Sequence, residues 1–148
     1  MMIPMTRLAA AALVAATLGG CATTVPTTAD LQPTPQDRIT THRAKEPDSA
    51  MPTILRNKGF VGSAIDWRVL IDGTPAAQIA WGEFAVLYVK PGERIIEVRH
   101  PSPTIGMVGD SATLRAESGA AYCYRINADD GVVKLLRTTS EAVGVAAK

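Results

Sequence analysis

The stretch FAVLYVKPGERIIEVRH, residues 84–100, decides the fold. Two runs rich in β-branched and aromatic residues flank Lys90-Pro91-Gly92-Glu93. Proline presets φ at the second position of a turn, and glycine supplies the positive φ that a type II turn needs at the third. The stretch therefore predicts two strands joined by a turn. Phe84–Lys90 is apolar on both faces, which marks a candidate central strand. In Arg94–His100, Ile96 and Val98 face inward, while Glu97 and Arg99 share the opposite, wetter face.

Working outward, the same grammar repeats. Trp67, Val69 and Ile71 share one face of the run Trp67–Asp72, which Gly73-Thr74-Pro75 ends, and Gly82-Glu83 leads into Phe84. Downstream, His100-Pro101-Ser102-Pro103 breaks the sheet, because proline cannot donate to a ladder. Thr104–Asp110 reads as a loop. Ser111–Glu117 alternates, with Ala112, Leu114 and Ala116 inward, and Glu117-Ser118-Gly119 turns the chain into Ala120–Ile126. There Tyr122, Tyr124 and Ile126 take the buried face, since they carry more apolar area than Cys123 and Arg125. Asp129-Asp130-Gly131 is a hairpin signal, Val132–Arg137 closes the sheet, and Ser140 caps a last short helical turn. Short runs separated by turns are the pattern of an all-β sandwich or barrel. The expected domain covers 53–140, with 141–148 a frayed tail.

Residues 22–52 are dense in Thr, Pro and charge, and Val25, Leu31 and Ile39 fit no period. Such a chain buries too little apolar area to offset its ordering entropy. The expectation is a mobile tether over 21–52, spanning about 30 Å as a coil. His42, within it, reads as solvated. Further upstream, Arg7 precedes the apolar run LAAAALVAATL at 8–18, then Gly19-Gly20. That order reads as a secretory signal peptide over 1–20. The run is shorter than the roughly 20 residues a membrane span needs.

Leu18-Gly19-Gly20-Cys21 closely resembles the lipobox of bacterial lipoproteins. The resemblance implies that the Cys21 sulfur takes a diacylglyceryl group, that the chain is cut before Cys21, and that the freed amine is acylated. Cys21 would then be the first mature residue and the membrane anchor. Ala22 behind it, in place of Asp, resembles the choice for outer-membrane sorting, which implies an outer-membrane protein on the periplasmic face. A second resemblance rests on Gly59–Ala64, the VLIDG of 69–73, the GEF of 82–84, the KPGE of 90–93 and the SGAAYCYRI of 118–126. Together they resemble bacterial lipoprotein domains of unknown function that are related in style to PEGA sandwiches. This implies a small immunoglobulin- or prealbumin-like antiparallel sandwich, and it carries over no catalytic residues.

Composition narrows the function classes. Of 15 basic and 14 acidic residues, a cut before Cys21 removes only Arg7, leaving the two signs equal. Such a chain has no electrostatic footprint for nucleic acid. With Cys21 lipidated, Cys123 is left alone, so there is no disulfide framework, and it reads as a small buried hydrophobe. One of the two histidines lies in the tether and the other beside a proline, so no histidine-based triad is attractive. Asp129-Asp130-Gly131 lacks the further oxygen ligands of a calcium loop, and neither a metal nor another cofactor is expected beyond the lipid on Cys21. Asp66, Asp72, Glu83 and Glu93 remain candidates for paired carboxylates at sheet ends. Trp67 reads as sandwich core. Trp81, before a glycine at a turn, and Ile105 and Met107 in the loop are the candidate contact surface. The expectation is a non-catalytic binding or accessory module of the cell envelope, touching the membrane through its anchor and an envelope protein or peptidoglycan through its domain. The alternatives are an envelope enzyme acting on peptidoglycan or another glycan through paired carboxylates, and a structural subunit of an envelope complex.

Overall fold

The β-rich runs fold as two stacked sheets. A computed structural model of the chain describes residues 30–58, 64–102, 104, 109–129 and 132–138. The expected signal peptide, the lipobox-like stretch with Cys21, the loop residues Ile105 and Met107, and the expected tail lie outside these residues. Among the described residues the strands are β1 (Gln32–Pro33), β2 (Met51–Arg56), β3 (Trp67–Ile71), β4 (Thr74–Ile79), β5 (Glu83–Val86), β6 (Gly92–Arg99), β7 (Asp110–Ala116), β8 (Ala121–Asp129) and β9 (Val132–Thr138). One sheet has the order β1-β5-β2-β8-β9 and the other β4-β3-β6-β7. The four-stranded sheet is antiparallel throughout. In the five-stranded sheet, β1–β5 and β2–β8 run parallel, which no turn signal in the sequence could announce.

The all-β sandwich expected from the alternation is the fold observed. Trp67, Val69, Ile71, Ile96, Val98 and Leu114 from one sheet meet Ile54, Ala85, Tyr124, Ile126, Val133 and Leu135 from the other in one buried cluster. Trp67 is core, with its ring edge-on to His100 at 5.6 Å. The β3–β4 hairpin is built on Asp72-Gly73, both with positive φ (50° and 77°). That is the signature of a type I′ turn, whose twist matches its flanking strands. The sequence signals a strand end at Gly73-Thr74-Pro75, whereas Pro75 lies inside the next strand, β4. Proline is tolerated there because β4 is an edge strand, and the β3–β4 register shifts beside it, between Val69 and Leu70. At the opposite edge, Asp110 Oδ2 accepts the Leu135 N–H at 2.7 Å, so a side chain covers part of the open edge of β9.

Over residues 30–52 the expectation of a mobile tether is corrected. Leu31, Thr34, Ile39, Ser49 and Ala50 are buried. The Gln32 and Thr34 amides donate to Gly82 and Phe84 carbonyls at 2.9 and 2.8 Å, and the Thr40 amide donates to Ala76 at 2.8 Å. The cause lies in the five-stranded sheet, where β2 buries both faces and β8 buries Cys123 on its outer one. Ile54 and Tyr124 point into the sandwich, while Leu55 and Cys123 point out of it and are covered by Leu31 and Phe84. Residues 30–49 thus form a strap along one edge of the sandwich, pairing with β5 through β1 and reaching β4 through Ile39 and Thr40, and the folded unit includes residues 30–52. Each strap residue makes a separate contact from irregular backbone, so periodicity could not reveal it.

Candidate functional site

Where the strap passes the end of β5 it leaves a cleft of about 560 Å³. The strap supplies Thr40, Thr41, His42, Arg43, Glu46 and Ser49 to its walls, and the sandwich supplies Tyr88, Lys90 and Arg94. A smaller pocket of about 200 Å³ adjoins it, sharing Arg43 and Tyr88, and lined further by Thr34, Ile39, Phe84 and Val86. The Thr34 hydroxyl there is buried and has no hydrogen-bond partner. Ligand pockets typically fall between roughly 300 and 1,000 Å³, with a few polar groups among apolar walls.

His42 is the hinge of the cleft. Its φ is +60°, a left-handed conformation uncommon for a residue with a side chain. Two hydrogen bonds hold it there: the Tyr88 amide donates to the His42 carbonyl at 2.9 Å, and the His42 Nδ1 donates to the Tyr88 carbonyl at 3.0 Å. That arrangement leaves Nε2 directed elsewhere. Backbone held in such a conformation tends to be found at binding sites. His42 is therefore half-buried and clamped, not solvated as the sequence suggested.

The cations divide into engaged and unengaged. Arg94 donates to the Lys90 and Pro91 carbonyls at 2.9 and 3.2 Å and pairs with Asp72 at 3.0 Å. Asp72 also accepts the Ile95 amide at 2.8 Å. That backbone bond, with the Arg94 guanidinium, holds the Asp72 carboxyl below the usual carboxylate range. Arg94 thus braces the Lys90-Pro91 turn. Arg43, by contrast, spends only its Nε, on the Ile39 carbonyl, and the Lys90 ammonium has no partner among the described residues. Glu46 is the one carboxylate in the lining. Four hydroxyls, of Thr40, Thr41, Ser49 and Tyr88, belong to residues of the same lining, although Thr40 and Thr41 both donate to the Pro75 carbonyl at 2.9 Å and Ser49 accepts the Glu46 amide at 3.1 Å. The arrangement suits a small anionic group.

The residues singled out in the sequence are scattered. Asp66 and Glu83 do come together, at the far end of the sandwich, but through Arg38, which pairs with both. Buried Arg56 sits in the same cluster. Burial pulls its guanidinium below its ordinary value, and the charges of Asp66 and Glu83 pull it back. Each carboxylate is thus matched by an arginine. Asp72 is at the opposite end, in the brace, and Glu93 is exposed on β6. Cys123 is buried, and desolvation pushes its thiol up to about 11, so at neutral pH it is not a thiolate. Trp81 is 44% exposed, as a contact residue requires. Ile105 and Met107 lie outside the described residues. Sequence reasoning missed Arg43, Lys90 and the clamp on His42. The one available signal is the adjacency of His42 and Arg43 in a segment whose composition reads as spacer.

No protein-family model matches the chain, and no curated protein matches it.

Proposed function

We propose that this protein is a lipid-anchored outer-membrane lipoprotein, facing the periplasm, whose PEGA-like sandwich acts as a non-catalytic binding module of the bacterial cell envelope. Its binding site is the seam cleft, and its ligand carries a carboxylate or phosphate. The observation that carries this reading is the pair Arg43 and Lys90. Two cations, neither paired with a carboxylate among the described residues, face one cleft, beside hydroxyls and a clamped histidine. Anchoring supports the reading physically, because restriction to one surface raises local concentration and makes a weak contact sufficient. The lipobox resemblance supports the address. The enzyme alternative draws no support from Asp66 and Glu83, whose charges are taken up by Arg38 and Arg56.

The test is calorimetric titration of the mature full chain, in neutral detergent, with inorganic phosphate and with succinate. Binding of at least one is expected, weakened about tenfold by Lys90→Gln and similarly by Arg43→Gln, since a charged hydrogen bond is worth roughly 1.5–3 kcal/mol. Both substitutions change exposed side chains, so the fold should survive them. Absence of binding, or binding indifferent to both changes, overturns the assignment.

A further inference from the structure

We propose that the end of the sandwich carrying Trp81 and Lys58 docks on the phospholipid headgroups of the membrane that holds the anchor. This inference rests on the reading of Cys21 as the anchor and adds an orientation to it.

The described chain begins at this end of the fold. The Gln32 amide donates to the Gly82 carbonyl at 2.9 Å, and Gln32 pairs with Glu83. The first described residue, Asp30, thus stands close to the Trp81-Gly82 turn. Nine peptide steps separate Cys21 from Asp30. At about 3.3–3.6 Å each, they cannot exceed roughly 30 Å in any conformation. Had the strap been free chain to residue 52, the domain could have stood well clear of the lipid. With the strap packed, this end is held near it.

That end displays a tryptophan and a lysine side by side. Trp81 is at the second position of the turn Ala80–Glu83, closed by the Glu83 amide on the Ala80 carbonyl at 3.2 Å. The Glu83 side chain accepts the Ala80 amide at 3.0 Å and fixes the turn from the other side. Gly82 has φ +73°, and a Cβ there would stand 3.1 Å from the Lys58 stem. The glycine therefore provides both the turn and a channel for Lys58, whose ammonium lies 5.9 Å from the Trp81 ring centre. An exposed indole beside a lysine with an apolar stem is the side-chain chemistry of a membrane–water interface.

Arg38 pairs with Asp66 and Glu83, and buried Arg56 lies in the same cluster, so within this group the two signs are equal and Lys58 beside Trp81 is outside it. The contact is made by the indole and the lysine stem, and it should form on neutral as well as anionic bilayers. A consequence follows for the cleft. Trp81 precedes β5, whereas Tyr88 and Lys90 follow it, so docking by Trp81 turns the cleft away from the membrane and toward the periplasm.

The test uses the mature full chain with its native lipid, reconstituted in phosphatidylcholine vesicles bearing headgroup spin-labelled lipid. Trp67 is buried in the sandwich, so Trp81→Phe reports the background emission. The expected result is quenching of the wild-type protein that is lost in Trp81→Phe, with the same result when phosphatidylglycerol is included. Protein that floats with the vesicles while Trp81 stays unquenched overturns the docking and leaves the anchor standing. Protein that does not float overturns both. Trp81 emission that responds to added peptidoglycan fragments and not to labelled lipid assigns the surface to sugar rings, and also overturns the proposal.

Discussion

Asp72 shows how much one side chain organises at the cleft end. It sits in the left-handed region, turns β3 into β4, accepts an amide from β6 and pairs with Arg94. Asparagine tolerates the same backbone, so Asp72→Asn isolates the charge. The folded-state pKa is lowered, chiefly by the Ile95 amide. The stabilisation is thus present above the unfolded value of about 3.9 and is lost as pH falls through the folded value. Thermal unfolding should show Asp72→Asn less stable by about 1 kcal/mol at pH 7, kept small because the carboxylate is partly exposed. The gap should close as the solution is acidified below the folded value. A gap that persists in acid would assign the effect to the turn and not to the charge.

At the scale of elements, the strap is the unexpected piece. Without Leu31 the outer face of the five-stranded sheet would expose Leu55, Cys123 and Phe84 as an apolar patch. The strap and the sheet thus need each other, and the cleft exists only between them. Leu31→Ala should destabilise the chain by about 2–3 kcal/mol, the range for truncating a buried leucine. It should also open Cys123 to solvent. Maleimide labelling checks this directly: the thiol of the folded wild-type chain should react only on unfolding, and that of Leu31→Ala should react under native conditions. Equal protection in both would mean that Leu31 does not cover it.

For the whole molecule, the two ends of the sandwich divide the work. One end receives the chain and displays Trp81, and the other holds the cleft. In the proposed reading that division depends on a lipid anchor at Cys21. Cys21→Ser should abolish incorporation of a fatty-acid probe and release the protein from the outer-membrane fraction, with thermal unfolding of the domain unchanged. Probe incorporation that survives the substitution would remove the anchor and, with it, the orientation.

The all-β class was legible because alternation and turns are local. Ile96 and Val98 against Glu97 and Arg99, the glycine at 92 with its positive φ, and the inward triplet Ala112, Leu114 and Ala116 all carry their meaning within a few residues. Trp67 as core and Cys123 as a buried hydrophobe were legible for the same reason, since size and polarity belong to the side chain itself. The lipobox at 18–21 is local too, and remains a reading of sequence alone. What only the tertiary structure decided is everything built from residues far apart in the chain: the parallel pairing of β2 with β8, the strap that Leu31 and Ile39 fasten, and the cleft that brings His42 and Arg43 against Lys90. The physical reason is that β2 buries both faces and β8 buries Cys123 on its outer one. A strand's own sequence shows that it is apolar on two sides, but not which distant segment will come to cover the second.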